Sequence, residues 1–297
     1  MLATSYVHAQ FSQLYTFGDI LSDTGNFASV TLPFPPPFFM NRVSNGPVAV
    51  ETLAALLGLE ASASLHLVGS AQGTNYAVAT ATARGSEAID LTAQVAAFMQ
   101  NHGDVAPPDA LYMVMIGGND VRDARDAEEA AAQEIITQAV AAIAANIESV
   151  AAAGGLRFLV VNMADLGAIP ETRLDAESTG MPSLIEVATL RTETFNQALA
   201  DEVNRLRTDL GLKIALVDVF TNFRAVIDNA AAYDLDNVTD ACFVIMNSML
   251  NFHLDCENGA NFDAFVFFDD FHTTAKINQI FGRLFHAFAP LPPPAME

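Results

Sequence analysis

The chain has no tryptophan, two cysteines and only two lysines, Lys213 and Lys276. Its 13 Lys and Arg face 35 Asp and Glu, a formal net charge of -22 over 297 residues. So few cations exclude whole classes of partner. A surface this acidic repels phosphate backbones and anionic lipid headgroups, so no nucleic-acid partner and no electrostatic docking to a membrane are expected. The charge reads as a solvated acidic surface, with salt adaptation as a second reading. Cys242 and Cys256 stand without a CxxC pair or a His/Cys cluster, so no zinc, other metal or cofactor is expected. Two readings of them stay open: a bridge in an exported protein, or two unpaired buried thiols. No run of about 20 apolar residues is apparent, so no transmembrane segment is expected.

What is present begins with "MLATSYVHAQ", in which Val7-His8-Ala9 precedes Gln10. This resembles the tail of a signal peptide, shortened of its basic region and full apolar core. Residues 1–9 are read as a signal-peptide remnant, 10–290 as one domain, and 291–297 as a proline-rich tail. A secreted or periplasmic location is the expectation. The length suits one large α/β domain.

Short β-rich runs alternate with longer helical ones. Strands are expected at Gln13–Phe17, Ala110–Ile116, Arg157–Asn162 and Lys213–Val217. Helices are expected at Pro47–Leu57, Leu91–Gln100, Ala127–Ala153 (stopped by Gly154-Gly155), Pro182–Leu210 and Thr273–Ala289. The alternation implies βαβ units and a mostly parallel sheet covered on both faces, a three-layer α/β/α sandwich. Ligands of such sheets bind beyond the carboxyl ends of the strands. The proline- and phenylalanine-rich Leu32–Gly46 reads either as a rigid surface loop or, through Phe34, Phe38 and Phe39, as an apolar pocket rim.

The strand ends carry the chemistry. Gly18-Asp19-Ile20 follows the first strand and Gly117-Gly118-Asn119-Asp120 the second. Asn75 and Thr80 lie in "GTNYAVATATARG", and Asp269 stands three residues before His272 in "VFFDDFHTT". An Asp at that spacing can hold one ring N–H and leave the other nitrogen as a base. An Asn amide or a backbone N–H beyond a strand can donate to a developing oxyanion. Singly these signals are weak, since Gly-Gly-Asn is commonly a turn and Asp-x-x-His commonly structural. The other histidines, His8, His66, His102, His253 and His286, show no partner at useful spacing and are expected on the surface or in the core.

In order and spacing, "FGDILSDTGN", "GTNYAVATATA", "IGGND" and "FFDDFHTT" resemble the four blocks of the GDSL-type SGNH hydrolases, a family of lipases and acylesterases. The resemblance runs from Gln13 to about Ala289. It implies metal-free hydrolysis of small or lipid carboxylic esters. It also implies His272 as base, Asp269 as its orienter, and the Ile20 backbone N–H, the second-block position and Asn119 as oxyanion donors. Two positions depart. The family serine is Ile20, and the family glycine of the second block falls on Thr80, or one residue earlier on Ala79. Isoleucine has no lone pair and no proton to give a base, so no acyl-enzyme can form on it. Ser22 is expected to cap the next helical turn. Severely impaired or absent esterase activity is therefore expected. The alternatives are a pseudoenzyme that binds an acyl or aromatic ligand without turnover, water activated directly by His272, and a single-site change in an active esterase, against which Thr80 argues.

Overall fold

The computed structural model describes residues 11–246 and 249–291. The expected leader remnant and most of the proline-rich tail lie outside them. Four strands, β1 (Leu14–Gly18), β2 (Leu111–Met115), β3 (Arg157–Val161) and β4 (Lys213–Val217), form one parallel sheet in the order β1-β2-β3-β4. Every residue of β1 and β2 is buried, as continuous apolar runs require when both faces are covered. A further extended stretch lines the outer edge of β1. Thr16 N–H donates to Thr74 O, Tyr76 N–H to Thr16 O and Val78 N–H to Gly18 O. That pairing carries the second block to the same sheet end as the first.

The helices are α1 (Asn26–Val30), α2 (Ala49–Leu56), α3 (Leu91–Asn101), α4 (Gly118–Arg125), α5 (Glu129–Ala152), α6 (Pro170–Thr179), α7 (Ser183–Leu210), α8 (Val219–Asp228) and α9 (Ala275–Phe288). α3, α5 and α7 pack side by side as one layer, and α2 packs on α9 as the other. The chain is thus a three-layer α/β/α sandwich. Local chemistry sets the helix ends. Pro170 starts α6, where its missing N–H is no loss, and Gly180 ends it with φ 66°. Asp218 accepts from Thr221 N–H at the start of α8.

The structure corrects the sequence reading in several places. The Ala-rich helix begins at Glu129, after a separate α4 that the third block itself opens. Among the described residues, α5 is long and apolar enough to cross a membrane by composition, which amends the expectation that no such stretch exists. Its apolar character is largely alanine. One face, carrying Ile136, Val140, Ile143 and Ile147, is buried where α5 meets α3, α4 and α7.

The segment between α8 and α9 was not anticipated. There β5 (Asn237–Ala241) pairs in parallel with β8 (Phe265–Phe267), and β6 (Phe243–Met246) pairs antiparallel with β7 (Met249–Phe252). Cys242 and Cys256 bracket that hairpin and are bridged, with their Cα atoms 5.4 Å apart. Of the two readings of the cysteines, the disulfide holds. Around it lies a second apolar cluster with Phe243, Phe262, Phe265 and Phe268.

Candidate active site

The end of β1 is built by close backbone approach. A Cβ on Gly18 would lie 2.5 Å from Met115 O of β2, so only glycine lets the two strand ends meet. Gln94 of α3 then clamps the Gly18 peptide, accepting from its N–H at 2.9 Å and donating to its O at 2.8 Å. The chain turns at Asp19, which is 2 % exposed. Its carboxylate accepts from Leu21 N–H at 3.1 Å. Burial pushes this carboxyl up to about 6; the Leu21 N–H and the charge of His272 oppose the shift, and Asp120 adds to it.

Ile20 follows. It lines a mainly apolar cavity of about 130 Å3, together with Asn119, His272, Met163, Phe271 and Phe281. Among the described residues no hydrogen bond is made by the Ile20 N–H. The turn is held from behind by Asp23, which accepts from Gly25 and Asn26 N–H at 2.7 Å, Phe27 N–H at 3.0 Å and Ala79 N–H at 2.9 Å. Asp23, then, is the residue that caps α1. Ser22 is not: it is fully buried, and its Oγ has no partner among the described residues.

The bond from Ala79 places Thr80 one residue beyond. Thr80 has φ +66°, a region in which a β-branched residue is an outlier and glycine is at ease. The backbone therefore keeps a glycine conformation at position 80. Asn75 sits deeper, donating to Ser22 O at 2.6 Å and Thr24 Oγ1 at 3.1 Å, and serves the turn. From the third block, Asn119 donates through Nδ2 to Ala81 O at 2.8 Å. Asp120 accepts from Ala83 N–H at 2.8 Å and from Arg84 Nη1 at 2.8 Å.

The fourth block closes the cavity. Asp269 accepts from His272 Nδ1 through Oδ1 at 2.8 Å, with Oδ2 at 2.9 Å, and from the His272 and Phe271 backbone N–H groups at 2.7 and 2.9 Å. Burial works against a charged imidazole, but Asp269, aided by Asp19 and Asp270, outweighs it and raises the His272 pKa above 6.5. Nε2 has no hydrogen-bond partner among the described residues. Thr273 also lines the cavity, and no hydrogen bond joins its hydroxyl to His272.

Sequence reasoning missed what steadies this loop. Glu171 of α6 donates its N–H to Asp270 O at 2.9 Å, and its carboxylate pairs with Arg122 and Arg125 of α4. The Arg122 guanidinium lies 4.7 Å over the Phe271 ring. No motif marks Glu171; only its place one residue after the helix-starting proline does.

Two expectations are overturned. Phe34, Phe38 and Phe39 do not line the cavity. Phe38 instead packs edge-on against Phe243 and Phe268 in the second cluster, 5.9 and 5.4 Å between centroids, and Phe34 packs on Phe38. The cavity takes its phenylalanines from α8, β8, α9 and the His272 loop. Two other histidines also have partners. His66 Nδ1 lies 2.6 Å from Ser64 Oγ, and burial lowers its pKa to about 4. Ser64 is fully buried and no carboxylate backs that pair. His253 lies 3.7 Å from Asp255.

Among known proteins, the chain is 27 % identical over 311 residues to "Inactive GDSL esterase/lipase-like protein 25" of Arabidopsis thaliana, covering 96 % of this chain and 73 % of that one. It is 30 % identical over 213 residues to "Lipase 1" of Photorhabdus luminescens, covering 71 % and 31 %. It is 26 % identical to a phosphatidylcholine-sterol acyltransferase of Aeromonas hydrophila, covering 78 % and 66 %. A catalytic mutant of an acetylxylan esterase from Geobacillus stearothermophilus superposes with a TM-score of 0.48 at 12 % identity, covering 97 % of this chain and all of the other; the fold assignment rests on the chain's own sheet and helices. The family model for GDSL-like lipase/acylhydrolases matches residues 14–285. With all four blocks meeting at one end of the sheet and that match spanning nearly the whole sequence, the protein belongs to the GDSL-like lipase/acylhydrolase family.

Proposed function

We propose that this chain is a GDSL-family ester hydrolase that has lost its acyl-transfer step. The observation that carries the reading is Ile20, which shares the cavity with His272 where the family places a serine. The Asp269–His272 pair can hold and move a proton, but nothing beside it has one to give. In serine hydrolases, removing the serine costs on the order of a millionfold in turnover. Ser22 cannot substitute from its buried position. Two plant relatives bear the word "inactive" in their names, which supports the reading.

The Ile20 N–H and the Asn119 amide, both on residues that line the cavity, would be the donors left for an oxyanion. The aromatic and aliphatic lining would suit the acyl part of a small or lipid ester. A second reading, a pocket that holds an acyl or aromatic ligand without cutting it, draws on that same lining. The disulfide supports export to an oxidising compartment.

The test is hydrolysis of a short-chain p-nitrophenyl ester by four proteins: the chain as it stands, Ile20→Ser, Ile20→Ser with Thr80→Gly, and that double variant carrying His272→Ala. The expected result is little or no turnover in the first, recovery in the second and third, and loss in the fourth. Strong turnover by the unaltered chain would overturn the reading. If all four fold and none turns over, the site is not an esterase lacking only its nucleophile, and the binding reading takes its place.

A further inference from the structure

The β6–β7 hairpin has features that a soluble hydrolase does not need. From Ala241 to Leu254 the only titratable side chains are His253 and the bridged Cys242. Ile245, Met246 and Met249 are each more than half exposed, and Leu250 is exposed as well. Ile245 and Met246 are consecutive in a strand, so their side chains leave opposite faces of the ribbon. The register pairs Ile245 with Leu250 and Met246 with Met249. Each face of the hairpin therefore presents one exposed apolar pair.

That double-sidedness bears on what covers the hairpin. A flat protein partner, or a strand added to one edge, would shield one face and leave the other wet. An apolar medium that surrounds the ribbon shields both. The base of the hairpin is a rigid mount: the disulfide closes it, Phe243 packs on Phe38, Phe252 and Phe268, and Cys242 N–H donates to Phe267 O. Behind the apolar end lie two exposed carboxylates, Asp255 and Glu257, and the half-buried Asp240. Anionic headgroups would repel these. The outward-facing choline cations of a zwitterionic layer complement them.

We infer that the β6–β7 hairpin is a lipid-surface anchor that inserts Ile245, Met246, Met249 and Leu250 into the headgroup–acyl boundary of zwitterionic layers. Because Phe267 and Phe268 lead directly into the Asp269–His272 loop, the anchor brings the cavity close to that surface. The inference does not depend on whether the cavity catalyses anything.

The absence of tryptophan makes the test direct. Met249→Trp gives a single reporter at the hairpin. With phosphatidylcholine vesicles its emission should shift to the blue and be quenched by lipids brominated in the acyl chain. The otherwise native chain should float with those vesicles. A variant carrying Asn at positions 245, 246, 249 and 250, with unchanged circular dichroism and melting, should partition about tenfold less or weaker still. Phosphatidylglycerol vesicles should bind less than phosphatidylcholine, and added salt should narrow the gap. Failure of the native chain to float with phosphatidylcholine, or equal flotation of the four-Asn variant, overturns the inference. A native dimer in solution that the four-Asn variant abolishes, without vesicle binding, also overturns it and makes a second copy the occupant.

Discussion

Asp269 holds His272 twice over, by the ring Nδ1 at 2.8 Å and by the backbone N–H at 2.7 Å, with one oxygen, Oδ1, serving both. Ring and main chain are thus fixed by the same group, and the imidazole cannot turn without losing its bond to Asp269.

Asp269→Asn should lower the His272 pKa below 6.5, because burial then acts unopposed by the largest favourable charge. The sign for stability follows. A pKa raised on folding stabilises fully below 6.5, and the contribution is lost as pH rises through the folded value. The stability gap between native chain and variant should be widest near pH 6 and narrow in alkali. An NMR titration of the ring proton together with urea midpoints would check both. A titration unchanged by the substitution would mean that Asp269 does not govern this histidine.

Asp19 gives the second pH signature. Its carboxyl is raised from 3.8 to about 6 by burial. It therefore stabilises below about 3.8 and loses that contribution as pH rises through about 6. Asp19→Asn keeps an acceptor for the Leu21 N–H but does not titrate. Between pH 4 and 7 the variant should gain on the native chain by up to about 3 kcal/mol. A gap that stays constant with pH would contradict the burial argument.

Thr80→Gly should stabilise the protein. An exposed threonine at φ +66° costs about 1–2 kcal/mol, while glycine adds about 0.5–1 kcal/mol of unfolded-state entropy. The net expectation is a gain of a few tenths to about 1 kcal/mol, read from the denaturant midpoint at unchanged slope. A loss would mean that the threonine side chain makes contacts that outweigh its backbone strain.

Glu171→Gln should cost about 3 kcal/mol, since the Arg125 side chain is 1 % exposed and would lose its buried anionic partner. Burial alone would raise the Glu171 pKa, but Arg125 and Arg122 hold it below 4.5. That contribution is present above about 4.5 and fades in acid, so the penalty should shrink as pH falls. With the Ile20→Ser protein as host, turnover should fall too, because the Glu171 carboxylate holds Arg122, whose guanidinium lies over the Phe271 ring beside His272. Full activity in that host would separate the network from the histidine loop.

The sheet was legible because its strands are short, continuous apolar runs; Lys213–Val217 has the boundaries its sequence suggests. Helix α4 was not, because Gly118-Asn119-Asp120 has the letters of a turn. Only packing against α5 and α7 makes it a helix. Strands β5 and β8 pair across a long stretch of sequence, and the β6–β7 hairpin between them is closed by a disulfide; periodicity reports neither. Phe34, Phe38 and Phe39 misled for a related reason. Their composition signals an apolar contact, but not which of two clusters receives it. Ile20 was legible outright, being an identity at a position. The strained backbone at Thr80, by contrast, shows only in its φ of +66°.

The four N–H groups gathered by Asp23 have a consequence for how such sequences are classified. Together with Asn26, Asn75, Gln94 and Asp120, that carboxylate satisfies main-chain groups that would otherwise be buried bare, and none of these bonds passes through the side chain at position 20. Most letters of the motif are therefore retained by what the chain needs in order to fold. Matching those letters measures the capacity to fold as much as the capacity to turn over a substrate.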